Sequence, residues 1–291
     1  MRAFDLLQPS TVDEAVSLLQ QHGEEARLLG GGAMLSILLR QRVVAPGYLI
    51  SVTGIPGLDN IEATGEKLLL GSTATLRGIE RSTAVKEQAP VLAEALHLVG
   101  NVRVRNVATI GGHLAHADIH LDLPPVLTAL EATVIVRSLA GERRIPIDDW
   151  FVGYYETSLA SDEMIVAVEI ERQPTSLHGA YLKYCSLSPN DWPTVGVAAF
   201  LSADGGTAAD VRIVAGSVAE RPLRVADAEA LLQDRPLGQE AITEVGRMYA
   251  DAADPLPDVR GSADYKRKVT AVFVRRAIMA AATQAGLSIG E

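Results

Sequence analysis

VRNVATIGGHLAHADIHLDLP, residues 104–124, sets two adjacent glycines between an apolar segment and a run of histidines and aspartates. Glycine weakens a fold by roughly 0.5–1 kcal/mol per residue relative to alanine unless a left-handed turn or a close neighbour requires it. Gly111 and Gly112 therefore raise the question of what approaches their backbone. Two chemistries compete. Thr109 and the paired glycines form a side-chain-poor concavity in which main-chain N–H groups suit an anion such as phosphate. His113, His116, His120, Asp118 and Asp122 also crowd into ten residues, and imidazole with carboxylate suits zinc or iron. Their spacing is not that of H-E-x-x-H, and neither a helix nor a strand aims all three rings at one point. Solvated or loop-stabilising histidines are the plainer reading.

A second glycine stretch lies about 80 residues upstream. LLGGGAM, residues 28–34, follows the short apolar run ARLLG, read as a strand, and precedes MLSILLRQR, which has helical spacing. A strand, a glycine turn and a helix start make an anion site, because the first helical N–H groups are unpaired. Neither the G-x-G-x-x-G spacing nor the G-K-[ST] ending of the P-loop is present. Two such loops are expected to clasp two phosphates of one long ligand, and a dinucleotide cofactor fits best. A hydrolase is disfavoured, since GSVAE and GSTAT lack the G-x-S-x-G elbow.

The 291 residues suggest two domains. Residues 1–175 read as a mixed α+β domain. Residues 176–291 read as an antiparallel sheet backed by helices, with the proline-containing link RQPTSLHG between the two. Thr11 and Glu14 stand in capping-box spacing ahead of a helix that stops at Gly23. EMIVAVEI, AYLKYCSL, VGVAAFLSA and DVRIVAGSV are strand candidates, and 262–284 reads as a long helix. A net charge of -10 argues against binding nucleic acid or anionic lipid. Of the basic stretches at 101–106 and 264–277 the second has helical period, so a solvated helix face is the plainer reading. Cys185 is the single cysteine, too few for an iron-sulfur cluster. With neither a secretory signal nor a membrane-length apolar run, a cytoplasmic setting is expected.

In this order and spacing the two loops resemble those of the FAD-binding medium subunit of the molybdenum hydroxylase family, which includes xanthine dehydrogenase and carbon monoxide dehydrogenase. There the loops read like AGGQSL and VRNxGTIGGNLAxADPxxDLP; here they read GGGAML and VRNVATIGGHLAHADIHLDLP. The likeness continues through DEMIVAVEI, AYLKY, NDWPTVG, RPLRVADAEALL and DVRGSADYKRKVTAVFVRRA. It implies a two-part FAD-binding domain of the PCMH, vanillyl-alcohol-oxidase-like type, followed by a C-terminal domain like that of carbon monoxide dehydrogenase flavoprotein. By resemblance Leu29, Gly30, Gly31, Gly32, Ala33, Met34 and Leu35, with Thr109, Ile110, Gly111, Gly112 and His113, wrap the FAD diphosphate and ribityl chain. Asp122 is expected to hydrogen-bond the cofactor and Ile165 to touch the flavin ring. Lys183 falls at the pyrimidine edge, where an ammonium stabilises the reduced flavin and raises its potential. Trp192 falls where some members put an aromatic ring over the flavin face. Read without the family, Lys183 is a strand lysine facing solvent and Trp192 a core aromatic.

Three departures stand out. Ala33 and Met34 replace Gln-Ser, His113 replaces Asn, and Ile119 replaces the proline of Asp-Pro. The resemblance implies an oxidoreductase subunit that passes electrons from iron-sulfur clusters of a small partner through FAD to an external acceptor. The 2Fe-2S clusters and the molybdopterin are expected in partner chains, the latter in a large subunit, with heterotrimers pairing into a dimer. A stand-alone FAD oxidoreductase and a flavin-free structural or metal-binding subunit are the alternatives. A β-branched residue at Gly111 is expected to eject FAD by crowding the phosphates, without unfolding the C-terminal domain.

Overall fold

The computed structural model describes residues 3–290; Met1, Arg2 and Glu291, at the outer ends of the two expected domains, lie outside them. The chain opens with β1 (Asp5–Leu7), α1 (Val12–His22), β2 (Ala26–Leu29), α2 (Leu35–Gln41) and β3 (Tyr48–Ser51). The three strands form a parallel sheet in the order β1-β3-β2. Thr11 caps α1 as its spacing predicts, accepting the Glu14 N–H at 3.1 Å. The Glu14 carboxylate returns to the Ser10 N–H at 2.7 Å rather than to Thr11, so the capping box is displaced by one residue. Ala15, Val16 and Leu19 of α1 pack with Ala26 and Ile50 in a small core of their own.

After β4 (Ile61–Thr64) and β5 (Lys67–Gly71) the chain enters a run of six short helices: α3 (Leu76–Arg81), α4 (Thr83–Gln88), α5 (Pro90–Leu98), α6 (Val102–Val107), α7 (Ile110–His116) and α8 (Leu123–Ala129). It then returns through β6 (Thr133–Ser138), β7 (Gly141–Pro146), the small hairpin β8 (Phe151–Gly153) and β9 (Glu156–Thr157), and β10 (Met164–Glu171). The resulting antiparallel sheet has the order β4-β5-β10-β6-β7. Leu68, Leu70, Val134, Val136, Val168 and Ile170 alternate along their strands and meet the helices in the largest core. A bulge between Ile165 and Ala167 shifts the phase of β10, so Ile165 joins the same core as Val168 and Ile170.

The glycine loop expected within 106–125 is therefore largely helical, holding the end of α6, all of α7 and the start of α8. Asn101 Oδ1 accepts from the N–H groups of Arg103 and Val104, and Thr109 Oγ1 accepts from Gly112 N–H at 3.1 Å. Such caps contribute about 1 kcal/mol each and offset the cost of a glycine inside a helix. The basic residues of 101–106 are not all solvated either. Arg105 is buried and donates to Glu80 at 2.9 Å and to the Val99 carbonyl at 3.0 Å.

From residue 177 the chain builds a second antiparallel sheet from β11 (Leu177–Tyr184), β12 (Val195–Asp204) and β13 (Thr207–Gly216). It is followed by α9 (Ala226–Ala230), β14 (Leu237–Gly238), α10 (Gln239–Ala252), α11 (Ala263–Gln284) and β15 (Ile289–Gly290). Val195, Val197, Ala199 and Leu201 of β12 face the helical core with Val245, Val274 and Ile278. Ala198 and Phe200, on the other face, pack with Tyr181 and Val214 into the core of the preceding part. The sheet is a partition buried on both sides, which is why VGVAAFLSA is apolar without alternation. On α11 the solvated-face expectation fails at Lys266. Its fully buried ammonium donates to the Leu256 carbonyl at 2.8 Å and pairs with Asp258 at 2.9 Å, tying down the segment before the helix.

Candidate functional site

A cleft of about 500 Å³ opens where the β2–α2 turn, the α5–α6 turn, α7 and the β11–β12 connection meet. Twelve of the sixteen residues predicted from sequence line it: Leu29 to Leu35, Thr109, Gly112, His113, Asp122 and Trp192. The two glycine segments touch. A Cβ on Gly30 would lie 2.9 Å from Thr109 Oγ1, and one on Gly31 would overlap the Val107 carbonyl oxygen. Gly32 has φ +73°, the left-handed conformation that turns the chain from β2 into α2. Gly112 is the residue of α7 whose missing side chain leaves space: a Cβ would meet only Thr109 Oγ1, at 3.0 Å.

Four predicted residues lie elsewhere. Ile110 is fully buried and Ile165 nearly so, both in the large core and neither on the cleft wall. Gly111 faces the protein. Its N–H donates to the Ser72 carbonyl at 2.9 Å, and a Cβ would sit 2.8 Å from that oxygen and from Ser72 Cβ. Close helix-to-strand packing requires this glycine, which corrects the expectation that a side chain there would crowd phosphates. Lys183 stands behind the wall, its side chain 4% exposed, so it is not a strand lysine in solvent. Trp192 is 38% exposed on the cleft rather than in a core, with the Arg260 guanidinium 5.3 Å from its ring centre.

The polar groups of the cleft form two sets. Asp122 is buried with both oxygens taken: Tyr181 OH donates to Oδ1 at 2.9 Å, and Lys183 Nζ to Oδ2 at 3.0 Å. Burial pushes the Asp122 carboxyl up to about 6, against the pull of Lys183 and Tyr181. Lys183 also donates to the Leu98 carbonyl at 3.0 Å, which ties β11 to the turn that carries Val99 and Gly100. In the second set, burial lowers the His113 pKa to about 3 and lowers that of His116, so both rings are neutral at pH 7. His113 Nε2 is buried without a partner. His116 and His120 both approach Asp118, with His116 Nε2 3.9 Å from Oδ2 and His120 Nδ1 2.9 Å from Oδ1, while His120 Nε2 lies 3.3 Å from Asp258 Oδ2. Even so, among the described residues no three His, Cys, Asp or Glu side chains are gathered to hold a metal ion.

A cleft with a glycine cradle that one Cβ would begin to fill, an orphaned buried imidazole nitrogen and an exposed aromatic ring in its lining fits a flavin dinucleotide. Sequence reading missed Tyr181 and Asp191. Tyr181 stands two residues before Lys183 on the same face of β11, a period-two signal that was available, and Asp191 lay within the motif NDWPTVG.

Comparison with known proteins agrees with this geometry. Residues 2–172 match the model of the FAD binding domain in molybdopterin dehydrogenase, and residues 180–281 that of the CO dehydrogenase flavoprotein C-terminal domain. The carbon monoxide dehydrogenase medium chain of Hydrogenophaga pseudoflava is 33% identical over 96% of this chain and 96% of its own length. The 6-hydroxypseudooxynicotine dehydrogenase complex subunit alpha of Paenarthrobacter nicotinovorans is 31% identical, over 95% and 93%. Among solved structures, a carbon monoxide dehydrogenase from Hydrogenophaga pseudoflava lacking the Mo-pyranopterin moiety superposes with a TM-score of 0.95 at 34% identity, covering 98% of each chain.

Proposed function

The chain belongs to the FAD-binding subunits of the molybdopterin dehydrogenases, and on that premise we propose that it is the electron-transfer flavoprotein subunit of a heterotrimeric molybdenum hydroxylase. The contact between the two glycine segments carries the reading, because it brings two lengths of bare main chain to one wall of one cleft. FAD, when bound, supplies the redox chemistry, accepting and releasing electrons. The chain does the rest. Main chain at Gly30 to Gly32 and at Gly112, with the Thr109 hydroxyl, holds the diphosphate and ribityl chain; Ala33 and Met34 add no polar side chain to that grip. Trp192 would cover one face of the ring system and exclude water there. Asp122 and Lys183 would set the charge beside the pyrimidine edge, and neutral His113 would offer a hydrogen bond without adding charge.

Electrons reach this site from the iron-sulfur clusters of a small partner and leave to an external acceptor, while a large partner holds the molybdenum cofactor. Cys185, the single thiol, cannot hold a cluster, and among the described residues no helix is long and apolar enough to cross a membrane. We place the domain division at residue 175, where the chain passes from β10 to β11 and so from one sheet to the other. The assembly is a dimer of heterotrimers working in the cytoplasm. Purification of the tagged chain with its genomic neighbours tests this. About one FAD per chain, released on acid treatment, together with two co-eluting subunits carrying iron-sulfur and molybdenum, is expected. FAD on a chain that elutes alone from such cells favours a stand-alone oxidoreductase, and a chain without flavin overturns the reading.

A further inference from the structure

We infer that Tyr181 is a positioning residue for the flavin site: its hydroxyl holds Asp122 as a carboxylate, so the Asp122–Lys183 pair meets the cofactor without net charge. This rests on the reading of the cleft as the FAD site. Three observations carry it. Tyr181 OH and Lys183 Nζ divide the two oxygens of one buried carboxylate, so loss of either donor leaves a buried acceptor without its partner. Lys183 uses two of its three donors, on Asp122 and on the Leu98 carbonyl, so the ammonium is clamped between two parts of the cleft wall. The position of the hydroxyl is also built into the neighbouring strand. A Cβ at Gly196, opposite Lys183 on β12, would collide with the Tyr181 hydroxyl.

Charge follows from this geometry. A buried carboxylate stripped of one hydrogen bond binds a proton more readily, and the protonated acid leaves the Lys183 ammonium unopposed. An unopposed cation beside the flavin favours the reduced, more negative cofactor and raises its potential. Tyr181 and Lys183 are the groups that face Asp122 from β11, and Cys185, just past its end, lies close to all three, its thiol pushed up by burial and so uncharged near pH 7. His113 and His116 from α7 and Asp191 from the β11–β12 connection share the cleft. Burial holds both imidazoles neutral near pH 7, and its Arg260 partner keeps Asp191 ionised.

The test is the flavin midpoint potential of the purified complex between pH 5 and 9, read as the difference between variant and wild type so that other titrations cancel. Tyr181→Phe should raise the potential near pH 7 by about 30 mV, equivalent to a tenfold preference for the reduced cofactor in a two-electron couple. The difference should vanish toward pH 5, where both proteins carry the protonated acid, and toward pH 9, where both carry the carboxylate. Gly196→Ala keeps the hydroxyl but displaces it, and should shift the potential in the same sense. Asp122→Asn should sit high at every pH above about 6 and merge with wild type at pH 5. Tyr181→Phe with full flavin and an unchanged potential overturns the inference. So does an Asp122→Asn protein that tracks wild type throughout, whether or not Tyr181→Phe folds. Wild type that binds no flavin overturns the functional reading instead.

Discussion

The two glycine segments converge on one cleft, yet they use their glycines differently. In the first, Gly31 is bare because the Val107 carbonyl of the other segment occupies the place of a side chain, and Gly32 because its φ is positive. In the second, Gly111 is bare because the Ser72 main chain presses on it, while only Gly112 opens toward the cleft. A glycine motif associated with a cofactor therefore divides into residues that let the protein close on itself and residues that let a ligand approach. One substitution, glycine to alanine, separates these roles.

The largest effect belongs to Gly31→Ala. The new Cβ overlaps main chain rather than the end of a flexible side chain, so the two segments must part. A loss of about 4 kcal/mol or more in chemical denaturation is expected, with flavin lost as well. Next comes Gly111→Ala, where a Cβ 2.8 Å from Ser72 must be relieved by moving α7 off β5. A net loss of about 2 kcal/mol is expected, after the gain in helix propensity is set against the overpacking. Flavin binding in this variant should fall in step with stability. A protein of wild-type stability that has lost its flavin would show that Gly111 faces the ligand after all.

Acid should distinguish the segments further, since only the second carries a buried histidine. The His113 pKa is depressed from 6.5 in the unfolded chain to about 3, so its contribution is complete above pH 6.5 and is lost as pH falls toward 3. Asp122 acts in the opposite direction: its folded pKa is raised to about 6, so protonation below that pH favours the folded state. The two trends oppose each other in wild type. The measurement is therefore the stability of wild type relative to His113→Asn, which should fall by about 2 kcal/mol between pH 6.5 and pH 5. A difference that stays flat over this interval would mean that His113 is charged or solvated in the folded protein.

Local signals in the sequence carried much of the fold. Thr11, Glu14 and Gly23 delimit α1, and the apolar run of β12 marks a strand, although its burial on both faces appears only with the core packed against each side. What could not be read locally was the meeting of distant groups. Arg105 and Lys266 look like surface cations until Glu80 and Asp258 arrive beside them, and nothing within 28–34 shows that the Val107 carbonyl will lie against Gly31. The glycine stretch 106–125 differs for another reason: Gly111 and Gly112 suggest a loop, whereas the cap at Thr109, equally visible, decides for helix. Within the site, the residues on the cleft wall were largely found from the motifs. Tyr181 was missed because its role passes through Asp122 and not through a motif glycine.

Gly112→Ala should have the smallest effect on stability and the most informative effect on binding. Its Cβ would meet a single atom, the Thr109 hydroxyl oxygen at 3.0 Å, which already accepts the Gly112 N–H. That crowding is opposed by the helix propensity of alanine, worth about 1 kcal/mol over glycine, so the melting temperature should remain close to that of wild type. The methyl group nevertheless enters the space beside the cradle, and FAD affinity should fall by about tenfold, or roughly 1.4 kcal/mol, in fluorescence titration of the apoprotein. Stability and binding separate at Gly112 and move together at Gly111, one residue earlier, because successive positions of α7 face opposite partners: Ser72 of the protein on one side and the open cleft on the other. If Gly112→Ala binds FAD as wild type does, the diphosphate does not lie against α7, and the grip belongs to the first segment alone.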